Sequence, residues 1–334
     1  MASGRHSEES PHGVIERFCI VGAGVIGSLF AGHLASVSDV SVLTRRREHA
    51  EALNRDGLRV SGRSERHARV TATDDPAQLV PFDVAIVATK AAGLEPAVGA
   101  LAGRFPAATV VTVLNGIGAE EIVRAHGPWP IVSGVTFMSG TRHSDTHVEY
   151  ILDTETWLGP YEGTAFAHVQ EIAERIVASG LKAEALPDLR PAQWSKLIFN
   201  AAVNPVAALT RLSHDPHFAA ESEPGDLGHL VHGLVDEGKA VARAAGIELH
   251  DDPWEMNVLA TRRGSAHYPS MLEDVDAHRP TEIDLITGSL VREAQRRDVP
   301  VPLHSALHAL VKAKEASWQQ DTPDRKQATP TGGQ

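Results

Sequence analysis

The stretch Phe18-Cys19-Ile20-Val21-Gly22-Ala23-Gly24-Val25-Ile26-Gly27 decides the fold. A short apolar strand runs into Gly-x-Gly-x-x-Gly, and an apolar helical pattern follows through Leu29, Phe30 and Leu34. In a dinucleotide site Gly22 makes the tight turn and Gly24 lets the backbone approach a pyrophosphate. Gly27 allows close helix–strand packing, and the helix N-terminus, opening with Val25 and Ile26, faces the anion. Alone the motif is weak. Here a second strand, Val40-Ser41-Val42-Leu43, completes the context that it needs.

The end of that second strand bears on which nucleotide is bound. An acidic residue there suits the ribose 2′-hydroxyl of NAD, whereas arginine suits the 2′-phosphate of NADP. The chain reads Thr44-Arg45-Arg46-Arg47, with the first acid only at Glu48. A guanidinium fork matches a phosphate in shape and charge, so NADPH/NADP+ is the expected cofactor, with Arg45 the first contact and Arg46 the next. A solvated basic turn is the other reading.

Further strands are expected at Val84–Ala88, Val110–Leu114 and Ile131–Thr136, with helices starting near Gly24 and Ala119. This is the alternation of a parallel sheet covered on both faces. Arg59–Thr71 reads as an excursion into shorter strands, and Val148–Leu158 as a hairpin that extends the sheet antiparallel. Past Pro187 and Pro191 the pattern turns helical, over Gln193–Leu209, Gly228–Ala245, Thr281–Arg297 and Ser305–Trp318. The expectation is an α/β protein, a Rossmann dinucleotide-binding domain over 17–188 and an all-α substrate domain over 189–320. A disordered leader (1–16) and tail (321–334) flank them.

Within the first helix of the second domain lies Trp194-Ser195-Lys196-Leu197-Ile198-Phe199-Asn200-Ala201-Ala202-Val203-Asn204-Pro205. Lys196, Asn200 and Asn204 fall at i, i+4 and i+8, which drift by only about 40° per step, so one face carries all three. The rest of the run is apolar, and Pro205 is expected to kink it. Buried polar groups are costly unless something polar faces them. A network that merely pins helix packing would account for the same pattern.

Two more residues follow strands at their carboxyl ends, where open α/β sheets bind ligands. Lys90 comes after Ala88-Thr89, and Asn115-Gly116 after Leu114. Ordinary turn chemistry is the alternative for both. Farther on, Thr281 is placed to cap a helix with Glu282 in its first turn. An acid near Lys196 would keep that lysine charged.

Composition sets the limits. The chain has 334 residues, 42% hydrophobic and 22% charged, as expected of a globular protein with two domains. Its one cysteine, Cys19, cannot form an internal disulfide, which suits a cytoplasmic setting. A formal charge of −12 argues against nucleic acid or an anionic membrane as partner. Arg45, Lys90, Lys196 and Arg279 are therefore the cations expected to gather anionic ligands. Eighteen histidines are present, but His304/His308, His229/His232 and His143/His147 lack the companions of a metal site, so none is expected.

At this point the chain resembles the ketopantoate reductases (2-dehydropantoate 2-reductases) from about residue 17 to 315. The resemblance rests on Gly22–Gly27, Ala88-Thr89-Lys90-Ala91, Leu114-Asn115-Gly116, Trp194-Ser195-Lys196-Leu197 with Asn200 and Asn204-Pro205, and Ser270-Met271…Asp274…Arg279…Thr281-Glu282-Ile283-Asp284. It implies that Lys196 is the general acid and that Glu282 supports it, the substrate hydroxyl and the cofactor. Asn115, Asn200, Asn204 and Ser270 would hold a 2-oxo acid, with Lys90 and Asn115 at the junction of cofactor and substrate. A homodimer is also implied. The chain departs from the family at Pro269, where a second serine is frequent, and at Thr287, where asparagine is usual. Leu152-Asp153-Thr154 replaces a glycine-rich turn. These departures bear on the acyl group, so a paralogous reductase of another 2-oxo acid is the alternative. A non-catalytic NADP(H)-sensing protein is a more distant one.

Overall fold

The computed structural model describes residues 15–220, 225–262 and 268–318. The expected leader and tail lie outside them, except that Ile15 and Glu16 are described and Ile15 is buried in the first core. The described chain divides into two compact units. One holds residues up to Thr89, Gly93–Leu114 and Glu120–Leu189; the other holds Lys90–Ala92, Asn115–Ala119 and the chain from Arg190 onward.

The first unit begins β1 (Arg17–Val21), α1 (Val25–Leu34), β2 (Asp39–Leu43) and α2 (Arg47–Asp56). Three short strands follow: β3 (Leu58–Gly62), β4 (Arg66–Ala68) and β5 (Thr71–Thr73). Then come β6 (Val84–Val87), α3 (Ala91–Leu101), β7 (Thr109–Thr112), α4 (Ala119–His126) and β8 (Ile131–Thr136). The unit ends with β9 (Ser139–Ser144), β10 (His147–Leu152), β11 (Thr156–Tyr161), α5 (Phe166–Ala178) and β12 (Ala183–Ala185).

Eight strands form one sheet in the order β12-β11-β8-β7-β6-β1-β2-β5, in which only the β8–β11 pairing is antiparallel. From β1 the chain winds first toward β2 and then returns to β6 on the other side. Strand order thus reverses at β1, where open α/β sheets bind their ligands. All four residues of β6 and all four of β7 are buried, as strands covered on both faces should be.

The antiparallel extension of the sheet expected from Val148–Leu158 forms through β11, but β10 and β11 do not pair as a hairpin. Instead β10 pairs with β9 and β3 in a separate four-stranded sheet, β4-β3-β10-β9, while β11 extends the large sheet antiparallel to β8. The helix α1 packs against both sheets, and a Cβ on Gly32 would sit 2.5 Å from Val60 Cγ2. That double packing explains why every residue from Gly27 to Leu34 is buried. Cys19 is buried too, which pushes its thiol up to about 12 and leaves it unreactive.

The described residues of the second unit beyond Leu189 are helices and loops. They comprise α6 (Arg190–Thr210), α7 (Asp226–Ala244), α8 (Pro253–Arg262), α9 (Ser270–Asp276), α10 (Thr287–Arg296) and α11 (Pro302–Trp318). The helix α6 contacts each of the other five and supplies the centre of the core. Pro205 lies inside it, and the helix continues to Thr210.

Two expectations are corrected here. α8 and α9 lie where only loops were read. The helix expected from Thr281 starts at Thr287. Residues 281–286 form turns in which Gly288 N–H donates to Ile283 O, an i→i+5 bond that ordinary α-helix does not make. Glu282 therefore does not sit in the first turn of a regular helix.

Candidate active site

In the first unit, the glycine turn joins β1 to α1 beside the end of β6. Gly22 has φ +98°, and a Cβ there would meet Thr89 Cγ2 at 2.9 Å. A Cβ on Gly27 would lie 1.9 Å from Gly22 O, so helix and turn touch at a distance only glycine permits. At Gly24, the N-cap of α1, a Cβ would meet nothing within 4 Å. The first turn of α1 carries no acid, and Val25 and Ile26 are half-buried. Open space over a glycine at an uncapped helix N-terminus is the cradle a pyrophosphate requires, so the residues fit a dinucleotide.

The three arginines after β2 separate. Arg46 Nη2 is 2.6 Å from Asp145 Oδ1, and Asp145 also takes Arg142. Arg47 pairs with Glu51 at 2.9 Å. Arg45 is exposed and has no ion pair among the described residues. Asp145, 99 residues from Arg46 along the chain, thus engages Arg46 and not Arg45.

In the second unit, Lys196, Asn200 and Asn204 project from α6 with 9%, 7% and 7% exposure. Neither asparagine side chain hydrogen-bonds another group among the described residues. Burial lowers the Lys196 ammonium from its usual value to about 8, and the charge of Glu282 opposes that fall. Glu282 is itself buried and accepts a hydrogen bond from Asn115 Nδ2 at 2.9 Å. Gly116 makes this meeting possible. With φ +95° it approaches Leu285 O so closely that a Cβ would lie 1.9 Å from it, and Ile117 N–H donates to the same carbonyl.

Lys90 is drawn to a different acid. Its Nζ is 2.8 Å from Asp274 Oδ2, and Arg279 binds the other oxygen at 3.0 Å. Asp274 is almost wholly buried, so the two half-exposed cations share a carboxylate that the fold holds fixed. Burial lowers the Lys90 pKa, but Glu282 and Asp274 outweigh it and hold the ammonium above its ordinary value. Ser270 opens α9, half-buried, and its hydroxyl has no partner among the described residues.

Thus Lys90, Asn115, Lys196 and Glu282 are linked by hydrogen bonds or charge, whereas Asn200, Asn204 and Ser270 make no side-chain bond to them. The bridging role of Asp274 was missed. Its signal was a carboxylate set among the core residues Met271, Leu272 and Val275 on one short helix. Among the described residues no group of three metal-ligating side chains converges, and no helix is long and apolar enough to cross a membrane. His304 and His308 lie instead against Glu237 and Asp284.

Residues 18–163 match the family model described as ketopantoate reductase PanE/ApbA, and residues 188–315 match that of its C-terminal domain. The chain belongs to the ketopantoate reductase family. Within this family of oxidoreductases acting on CH–OH groups, the chain is similar to the 2-dehydropantoate 2-reductase of Pyrococcus horikoshii. The two are 31% identical over 89% of this chain and 97% of the relative. Among solved structures it is similar to a PanE/ApbA family ketopantoate reductase from Ralstonia eutropha JMP134, with TM-score 0.82 and 26% identity over 91% of this chain and 99% of the other. D-mandelate dehydrogenase in ternary complex with NADH and anilino(oxo)acetate is equally similar in fold, with TM-score 0.82 and 25% identity over 91% of this chain and 99% of that one. Ketopantoate reductases therefore share with this chain both its α/β unit and its helical unit.

Proposed function

We propose that this protein is an NADPH-dependent reductase of the C2 ketone of 2-dehydropantoate, forming pantoate, with Lys196 as general acid. The observation that carries the reading is the Lys196–Glu282 relationship. A buried ammonium brought to about 8 is still protonated at neutral pH, yet gives up its proton far more readily than an exposed lysine. The family to which the chain belongs supplies the reaction class.

When bound, the reduced nicotinamide supplies hydride to the carbonyl carbon. The chain's own residues do the rest. The Lys196 ammonium stabilises negative charge developing on the C2 oxygen and then transfers its Nζ proton to that oxygen. Lys196 is left neutral and takes a proton back from solvent. Glu282 keeps Lys196 charged between turnovers, and Asn115 fixes the carboxylate that does so. Asn200 and Asn204, whose amides have no side-chain partner, orient the hydroxyl and carbonyl oxygens of the substrate. Ser270 binds its carboxylate. Arg45, the arginine after β2 that lacks an ion pair among the described residues, holds the 2′-phosphate of NADPH.

The likeness to an NADH-bound D-mandelate dehydrogenase favours a second reading, a reductase of another 2-oxo acid. One panel separates the two: cofactor oxidation with 2-dehydropantoate, pyruvate, 2-oxoisovalerate and benzoylformate, each with NADPH and with NADH. The proposal expects the highest kcat/KM for 2-dehydropantoate with NADPH. Preference for benzoylformate with NADH would replace it by the second reading. Binding of NADPH without turnover of any acid would overturn both.

A further inference from the structure

The segment that carries Glu282 is irregular, so its own backbone does not fix where the carboxylate points. One face of α11 follows that segment along its length. His308, Lys312, Glu315 and Trp318 recur at spacings of four, three and three, which aligns them on the helix surface. The Trp318 ring stacks on His278 with centroids 5.4 Å apart. Glu315 Oε1 accepts two hydrogen bonds from Thr281, one from N–H and one from Oγ1, both 2.7 Å. Asp284 lies 2.9 Å from His308 Nε2 and accepts from Lys312 Nζ at 2.8 Å, while Lys312 also reaches Glu315 at 3.4 Å.

Thr281 and Asp284 flank Glu282 on either side. The Thr281 hydroxyl additionally accepts from Ile283 N–H, so the Glu315 bond also sets the start of the turn. Arg292 adds a bond to Asp284 O from α10. The charges acting with Glu282 are Lys196 and Lys90. The carboxylate is thus gripped through its neighbours from α11, while its own Oε2 accepts from Asn115.

We propose that Glu315 is a positioning residue for Glu282, clamping Thr281 so that the carboxylate stays within reach of Asn115 and Lys196. It touches no reacting atom. This rests on the reading of Lys196 and Glu282 given above, and misplacement by about 1 Å is enough to lower turnover substantially.

The test compares Glu315→Ala, Glu315→Gln and Glu282→Gln with wild type. Three quantities are measured: the Lys196 titration, by NMR of the lysine ε-carbons; kcat and KM with NADPH and 2-dehydropantoate; and the thermal unfolding midpoint. Glu315→Ala should lower kcat about tenfold to a hundredfold with a smaller change in KM, and move the Lys196 titration to lower pH, as Glu282→Gln does. Glu315→Gln, whose amide oxygen can still accept from Thr281, should recover most of both. If Glu315→Ala lowers only the unfolding midpoint, leaving kcat and the titration at wild-type values, the proposal is overturned. Failure of the underlying reading shows separately, as absence of wild-type turnover or a Lys196 titration indifferent to Glu282→Gln.

Discussion

Asn115 and Glu282, 167 residues apart in sequence, are joined by a hydrogen bond from Nδ2 to Oε2 of 2.9 Å. The bond ties the loop after β7 to the turn before α10 within one unit, and it leaves the Glu282 charge acting on Lys196. With Lys196 as the proposed acid, wild-type kcat/KM should be level at neutral pH and fall as pH rises through about 8. In Glu282→Gln the charge that raises the lysine's pKa is gone. The alkaline limb should then move to lower pH, which a kcat/KM profile against pH reads directly.

Lys196 is held at a cost to stability. Its folded value of about 8 lies below the ordinary 10.5, so the unfolded chain binds the extra proton more readily. The penalty is complete below pH 8 and fades as pH rises toward 10.5. Lys196→Met should therefore raise the unfolding free energy at pH 7 by up to about 3 kcal/mol while lowering kcat at least about a hundredfold. The gain should shrink at pH 10, as paired urea titrations at the two pH values would record.

Two glycines of one motif should fail differently. A Cβ at Gly27 collides with Gly22 O, so Gly27→Ala should cost at least about 2 kcal/mol of stability. A Cβ at Gly24 meets open space, so Gly24→Ala should cost about 1 kcal/mol or less. Yet it should weaken NADPH binding about tenfold or more, because the added methyl occupies the room for the pyrophosphate. Unfolding curves beside NADPH titrations distinguish the two effects.

The arginines offer a second contrast. Arg45→Ala should lower kcat/KM for NADPH about tenfold to a hundredfold and leave that for NADH nearly unchanged. Arg46→Ala should do much less, since Asp145 already engages its guanidinium. The ratio of the two cofactors' kcat/KM is the readout.

What could be read from the sequence follows the range of the interactions involved. The strand, turn and helix at Phe18–Leu34 are local features, and the glycine spacing states a contact, Gly27 on Gly22, that the structure realises. The polar face of Lys196, Asn200 and Asn204 is equally local, because helical periodicity alone aligns it. The second sheet was legible only in part: β3 and β4 overlap the short strands read over Arg59–Thr71, whereas β9 does not show in the sequence. Ser139-Gly140-Thr141-Arg142-His143-Ser144 has no apolar alternation, and its pairing with β10 depends on α1 and β3 from elsewhere in the unit. Thr281–Ile286 shows apolar spacing suited to a helix, yet anchors on α11, about thirty residues onward, hold it in turns. The same holds for Asp274 and Asp145, whose partners lie 184 and 99 residues away in Lys90 and Arg46.

Whether Lys196 gives the proton is decided by removing its ammonium. Wild type and Lys196→Ala are assayed side by side for oxidation of NADPH by 2-dehydropantoate, with the Kd for NADPH measured on each. In Lys196→Ala kcat should fall about a hundredfold to ten-thousandfold while the Kd stays nearly unchanged. Turnover near the wild-type rate in Lys196→Ala would contradict the acid role of Lys196.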